Sequence, residues 1–198
     1  MLISFTLFIS LFAEWIPLSK ESGKLQEPKI ELIHSNPSEA VIKINLTGFH
    51  KTDITKNGQT FNKIDLGTES FYETPGHPAV PYISKVLAIP DDQGVSVEVI
   101  ETGELFIFKD IDLAPARESW IEGFDETDYI KNEQIYSSEK AFPEIKASIS
   151  NPSVFRDFRI ARVAAYPVLY KPADRELQVY SSLTVKINYG EGKNTNIK

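Results

Sequence analysis

Between Leu177 and Tyr189 the side chains alternate without a break. Leu177, Val179, Ser181, Leu183, Val185, Ile187 and Tyr189 form one set, and Gln178, Tyr180, Ser182, Thr184, Lys186 and Asn188 form the other. Successive side chains of an extended strand point to opposite faces, so this run fits a strand with one buried side. Upstream, Ile160 to Leu169 is a second β-rich run. Between the two, Tyr170 to Glu176 holds Pro172 and Asp174, residues that favour a turn. The two runs are expected to pair as an antiparallel hairpin. Ile160, Ala164 and Tyr166 on one side of the first strand face Ala161, Val163 and Ala165 on the other, which places that strand inside a sheet covered on both sides. Pro167 lacks an amide hydrogen, so a strand end or bulge is expected near it.

The same grammar recurs upstream. Ile30 to His34 and Ala40 to Leu46 flank a turn at Asn36-Pro37-Ser38, so a hairpin opens the domain. Gln59 to Ile64 follows Asn57-Gly58, Val80 to Ile89 follows a cluster of Pro and Gly, and Val95 to Glu101 follows Asp91-Asp92-Gln93-Gly94; Leu105 to Phe108 comes next. No stretch sustains a 3.6-residue apolar period, so helix content should be low. Short strands separated by frequent turns indicate an all-β fold, an antiparallel sandwich of about eight or more strands. Asp112 to Phe142 interrupts the rhythm: it is acidic, sets Trp120, Phe124, Tyr129 and Tyr136 among its carboxylates, and does not alternate. A connection this long inside a compact domain is usually functional, and its aromatics argue against plain disorder. A meandering loop with its aromatics tucked onto the sandwich is the alternative.

Composition narrows the chemistry. The formal charge of −7 and pI near 5.1 offer no basic face for nucleic acid. There is no cysteine, hence no disulfide, thiolate metal site or thiol nucleophile. His34, His50 and His77 lack ligand spacing, no serine sits in a Gly-x-Ser-x-Gly elbow, and no glycine loop cradles phosphate, so neither metal nor cofactor is expected. Asp125-Glu126-Thr127-Asp128 lacks the glycine and the spaced glutamate of a calcium loop and reads as a solvated turn. Asn45-Leu46-Thr47 matches the glycosylation pattern without deciding anything.

Met1 to Ala13 is apolar over a length suited to an export signal and short for a bilayer span. Residues 1–19 are therefore read as a signal peptide, with Ala13 and Ser19 as the candidate cleavage positions. Residues 14 to 28 read as a solvated stretch, of which 20–28 is the linker proper; the fold is expected over 29–190, with 191–198 as a tail. Export implies a secreted, extracellular chain, passing through a periplasm if the source is bacterial, with no membrane contact once the signal is gone.

Three segments, in this order and spacing, resemble the propeptide of gingipain-type cysteine peptidases. They are Gly76-His77-Pro78-Ala79-Val80-Pro81 running into Ser84-Lys85-Val86-Leu87-Ala88-Ile89-Pro90; Leu113-Ala114-Pro115; and Phe155-Arg156-Asp157-Phe158-Arg159 with Tyr166-Pro167-Val168-Leu169-Tyr170-Lys171-Pro172 and Leu177 to Val185. The resemblance spans residues 29 to 190. It implies a β-sandwich prodomain ahead of a secreted cysteine endopeptidase, which assists folding of the catalytic domain and blocks its cleft until proteolysis removes it. In that family the loop after the Ala-Pro motif offers a substrate-like residue to the specificity pocket, which makes Arg117, Trp120, Ile121, Glu122 and Gly123 the candidates here.

The chain departs from the arginine-specific members, which carry a basic residue where Ile121-Glu122-Gly123 stands. Either Arg117 serves in a shifted register or the cognate protease prefers another side chain. The sequence holds no catalytic half, so the expectation is a fragment, a truncated product or a free-standing inhibitor. The competing reading is a secreted β-sandwich binding module for carbohydrate or a surface protein, with Trp120, Phe124 and Tyr129 as its platform.

Overall fold

A computed structural model describes residues 13–18, 27–68, 70–118, 128–190 and 192–197. In chain order they form β1 (Glu14–Pro17), β2 (Lys29–Ser35), β3 (Glu39–Asn45), β4 (Gly48–Lys56), β5 (Gln59–Asp65), β6 (Ile83–Ala88), β7 (Gly94–Thr102), β8 (Leu105–Phe108), α1 (Glu133–Tyr136), β9 (Ala147–Ile149), β10 (Ser153–Phe155), β11 (Phe158–Ala165), β12 (Val168–Lys171), β13 (Glu176–Tyr180) and β14 (Ser182–Gly190). The strands pair antiparallel in four sheets: β2-β3-β14-β7, β12-β13-β8, β10-β11-β6 with β9 also on β11, and β1-β4-β5. All four contribute to one core, which includes Ile44, Phe49, Ile64, Val80, Leu113, Val163, Tyr170, Leu177, Leu183 and Ile187. The architecture is the expected all-β antiparallel sandwich.

The alternating run keeps its inward set, with Leu177, Val179, Leu183, Val185 and Ile187 fully buried, yet it is two strands. β13 pairs with β12 and β8, and β14 with β3 and β7. Because β7 and β8 also follow one another, the two pairs make one long ribbon that bends from sheet to sheet. At the bend Ser181 donates its amide to Glu104 and accepts from Leu46, and Gly103 donates to Ser182. A Cβ on Gly103 would lie within 2.8 Å of the Ser182 amide nitrogen, so only glycine allows the ribbon to close there.

Two expectations need correction. The hairpin partner of β13 is β12, joined through a turn at Pro172 to Arg175, and not the whole run Ile160 to Leu169. The run breaks at Tyr166-Pro167, where proline cannot donate, and its first part becomes β11 in another sheet. β11 has β6 along one edge and β10 then β9 along the other, so it is an interior strand, and its consecutive residues Val163, Ala164 and Ala165 are buried on both faces. Secondly, the stretch read as solvated from residue 14 contains β1, which pairs with β4, and Leu18, which is buried. Five residues are too few to show a period, and their partners on β4, from Pro17–Gly48 to Glu14–Lys51, lie 31 to 37 residues on in sequence.

Arg159, from the third motif, is 1% exposed. Its Nη1 donates to the carbonyls of Pro90 (2.6 Å) and Gln93 (2.5 Å), and Nε and Nη2 both donate to Thr195 (3.1 and 2.9 Å). The planar fork thus joins β11, the β6–β7 turn and residues 193–196, which are held further by a Val95–Lys193 backbone pair and by Asn196 on the Pro152 carbonyl. A lysine ammonium cannot reach carbonyls in three directions from this depth. Arg159→Lys should therefore lower unfolding stability by about 2–4 kcal/mol, read from the urea midpoint at unchanged slope.

Candidate functional site

The long irregular segment leaves the sandwich at Ile111 and re-enters at α1, and its two arms are fixed by backbone pairing with separate parts of the chain. The outgoing arm starts on β5. Asn62 exchanges backbone bonds with Asp112 and Ala114, its Oδ1 accepts the Asp112 amide at 2.7 Å, and its Nδ2 donates to Asp53 at 2.7 Å. Leu113, fully buried, is held from two sides. Its carbonyl accepts from the Tyr136 hydroxyl at 2.8 Å, and its amide points to the Tyr170 hydroxyl, which itself donates to the Ile111 carbonyl at 2.9 Å.

Beyond Leu113 the arm runs antiparallel to the Gly76–Ala79 segment. The Ala79 amide donates to Ala114, Ala116 donates to His77, and Gly76 donates to Ala116. The returning arm closes on the same residue, because the Asn132 amide donates to the Gly76 carbonyl at 2.9 Å. Asn132 then caps α1 through its side chain, which accepts from Gln134 and Ile135. All three motif regions of the sequence thus meet at the roots of this segment.

Side chains brace the two arms against each other. The Arg117 guanidinium lies over the Tyr129 ring at 4.9 Å, and that ring contacts Phe61 at 5.3 Å. Cation and ring attract through the quadrupole, so residues on opposite arms are held together. Lys131 bonds Asp112 at 2.6 Å and sits over the rings of Tyr136 and Phe61. Asp128 pairs with Lys56 at 3.5 Å and accepts from Asn57. Between the arms lies a cleft of about 440 Å³ lined by Pro75, Ala116, Arg117, Glu118 and the exposed Ile130, among others.

Among the candidate residues, Arg117 is half-buried at the outgoing root. Trp120, Ile121, Glu122 and Gly123 lie outside the described residues, as do Phe124 and Asp125 to Thr127. Tyr129 is packed by Arg117 and Phe61 and presents no open platform. Asn62 and Lys131 were not singled out from sequence, whereas Tyr136 stood among the aromatics of the irregular stretch and Tyr170 in the third motif, neither with an assigned role. Their partners are main-chain groups or distant residues, and only the Leu-Ala-Pro and Gly-His-Pro motifs hinted at the contact.

The geometry can be set beside known proteins. The Propeptide_C25 family matches residues 20–198. The chain belongs to this family. Among curated relatives, gingipain R2 of Porphyromonas gingivalis is 24% identical over 190 residues, covering 94% of this chain and 25% of its own length. Gingipain R1 of the same organism is 28% identical over 124 residues, 62% of this chain and 12% of its length. The chain therefore spans about a quarter or less of the curated relatives it matches. Two solved structures share the fold. One is the complex of P. gingivalis RgpB pro- and mature domains (TM-score 0.79, 20% identity, 87% of this chain and 90% of that one). The other is from work on the zymogenic latency of gingipain K of the same organism (TM-score 0.76, 16% identity, 91% and 100%).

In this Propeptide_C25 domain the two phenols at Leu113 are held neutral. Burial pushes Tyr170 from 10 up to about 12, assisted by the nearby Asp112 and opposed by the bond to Leu113. Burial raises Tyr136 further, with Tyr170 and Asp112 adding to it. Folded values above the unfolded one mean that the stabilisation is complete below pH 10. It is lost as pH climbs through 10 toward 12, where the unfolded chain releases protons that the folded chain retains. Stability should fall across that interval in alkaline unfolding titrations, and the fall should shrink in Tyr170→Phe. At neutral pH that variant should cost about 1–2 kcal/mol, since the Ile111 carbonyl loses its donor.

Proposed function

We propose that this chain is the prodomain of a gingipain-like cysteine endopeptidase. In this reading it holds the catalytic domain latent by laying residues 117–127 across the active-site cleft, and it supports folding of that domain. The observation that carries the reading is the double anchorage on Gly76, which accepts the returning arm and donates to the outgoing one. A segment pinned at both ends has few conformations to lose on docking, so more of its contact energy appears as affinity. The surrounding rigid sandwich supplies further surface for the catalytic domain.

The chain brings no thiol of its own, so the reacting cysteine belongs to the peptidase. In this reading Trp120, Ile121, Glu122 and Gly123 enter its cleft, with Arg117 either inserting beside them or bracing the root from its position over Tyr129. Cleavage within 119–127 would turn one doubly anchored bridge into two singly held arms. Each arm would regain its entropy, and affinity would drop without any unfolding of the sandwich. Family membership supports the prodomain role, and the apolar Met1 to Ala13 supports secretion.

Mixing the purified chain with a gingipain-like peptidase and titrating residual activity tests this. The parent chain should inhibit near stoichiometrically, and a chain nicked once between 119 and 127 should inhibit at least tenfold less well. Glu122→Ala reports on the segment itself. If Arg117 acts as a brace, Arg117→Ala and Tyr129→Ala should weaken inhibition alike and non-additively; if it enters the pocket, Arg117→Ala alone should do so. Failure of the parent chain to inhibit, together with measurable glycan binding, would replace this reading with the binding-module one.

A further inference from the structure

The apolar leader run ends where the fold begins. Ala13 and Glu14 are exposed, whereas Glu14–Pro17 is laid on β4 in the register Glu14–Lys51, Trp15–His50, Ile16–Phe49 and Pro17–Gly48. Leu18 is 4% exposed within the core, and its amide donates to the Thr47 carbonyl at 2.9 Å. The Trp15 ring packs edge-on against His50 at 5.2 Å, and Ile16 packs against the core cluster.

β4 is built for this strand. Opposite Pro17 it carries Gly48, which is buried, and a Cβ there would overlap the Trp15 indole and the Ile16 carbonyl oxygen. A glycine inside a strand otherwise weakens it, and here its lack of a side chain lets another backbone approach. The match to the Propeptide_C25 family begins at residue 20, and β1 is placed by its pairing with β4 and by the burial of Leu18.

We infer that export processing cuts the Ala13–Glu14 bond and that Glu14 to Leu18 stay with the mature domain as its first strand. Water adds across that amide under a signal peptidase, leaving the Ala13 carboxylate on the leader and a free α-ammonium on Glu14. Ala13 supplies the small residue next to the cut, while Leu11 occupies the other acyl-side position where such an enzyme favours a small one, so the choice of bond rests on the fold of Glu14 to Leu18. A cut after Ser19 would instead remove β1 and Leu18, expose the β4 edge and open the cavity that Leu18 fills. The inference does not depend on what the domain inhibits.

The test is the N-terminus of the full chain after export from a bacterial host, read by mass spectrometry of intact protein and of its N-terminal peptide. Glu14 as first residue is expected; Lys20 or a retained Met1 would overturn the inference. Independently, Trp15→Ala in the exported chain should lower the thermal midpoint by about 5 °C or more, given roughly 2–4 °C per kcal/mol for a domain of this size. An unchanged midpoint would show that β1 is dispensable and would overturn it as well.

Discussion

A buried phenol must find a partner, and the Tyr170 hydroxyl finds its partners in the main chain of Ile111 and Leu113. That choice fixes where the chain leaves the sandwich. Tyr170 lies in β12, paired through β13 to β8, so the departure point of the irregular segment is set by the sheet and not by the segment's own sequence. Tyr136 returns the favour from the other arm by donating to Leu113. The two arms therefore share one residue as anchor and one stretch, Gly76–Ala79, as guide rail. If the Tyr170 hydroxyl were removed, Asn62 and the Gly76 pairings would still hold the outgoing arm, though from fewer directions.

The rest of the fold keeps that anchor rigid. The ribbon of β7–β8 against β13–β14 runs through two sheets, so Tyr170 and Leu177 cannot shift without moving Leu183 and Val185. Arg159, a charge surrounded by carbonyl oxygens, ties the β6–β7 turn and residues 193–196 to β11. None of these groups performs chemistry. Their effect is to restrict the conformations open to the roots of the irregular segment, which is the preorganisation that the proposed inhibitory role requires.

Much of the scaffold was legible because local signals agreed. Alternation marked β7 and β14, Asn36-Pro37-Ser38 marked the first turn, with the Asn36 side chain accepting the amides of Ser38 and Glu39, and Pro167 marked a break that the structure places there. What escaped was non-local. Alternation through Ser181 continues unaltered while the strand changes sheets, because both halves face one core and the pattern records burial, not partners. β1 is too short to carry a period. Arg159 stood in the third motif without a role, since nothing nearby in sequence shows that three distant carbonyls surround it. The candidate site was legible as an anomaly, an irregular acidic stretch after Leu113-Ala114-Pro115. The clamp that gives it meaning joins residues 23 to 59 positions apart, beyond the reach of any local pattern.

Preorganisation is the central claim, and amide hydrogen exchange on the isolated chain tests it most directly. The amides of Gly76, Ala114, Ala116 and Asn132 should be protected in the free chain to an extent approaching that of β11, and adding a gingipain-like peptidase with an open cleft but its catalytic cysteine replaced by alanine should change them little while slowing exchange in 119–127. Rapid exchange at those four amides in the free chain, with protection arising only when the peptidase is added, would contradict the account: the roots would then be formed by binding and not by the sandwich.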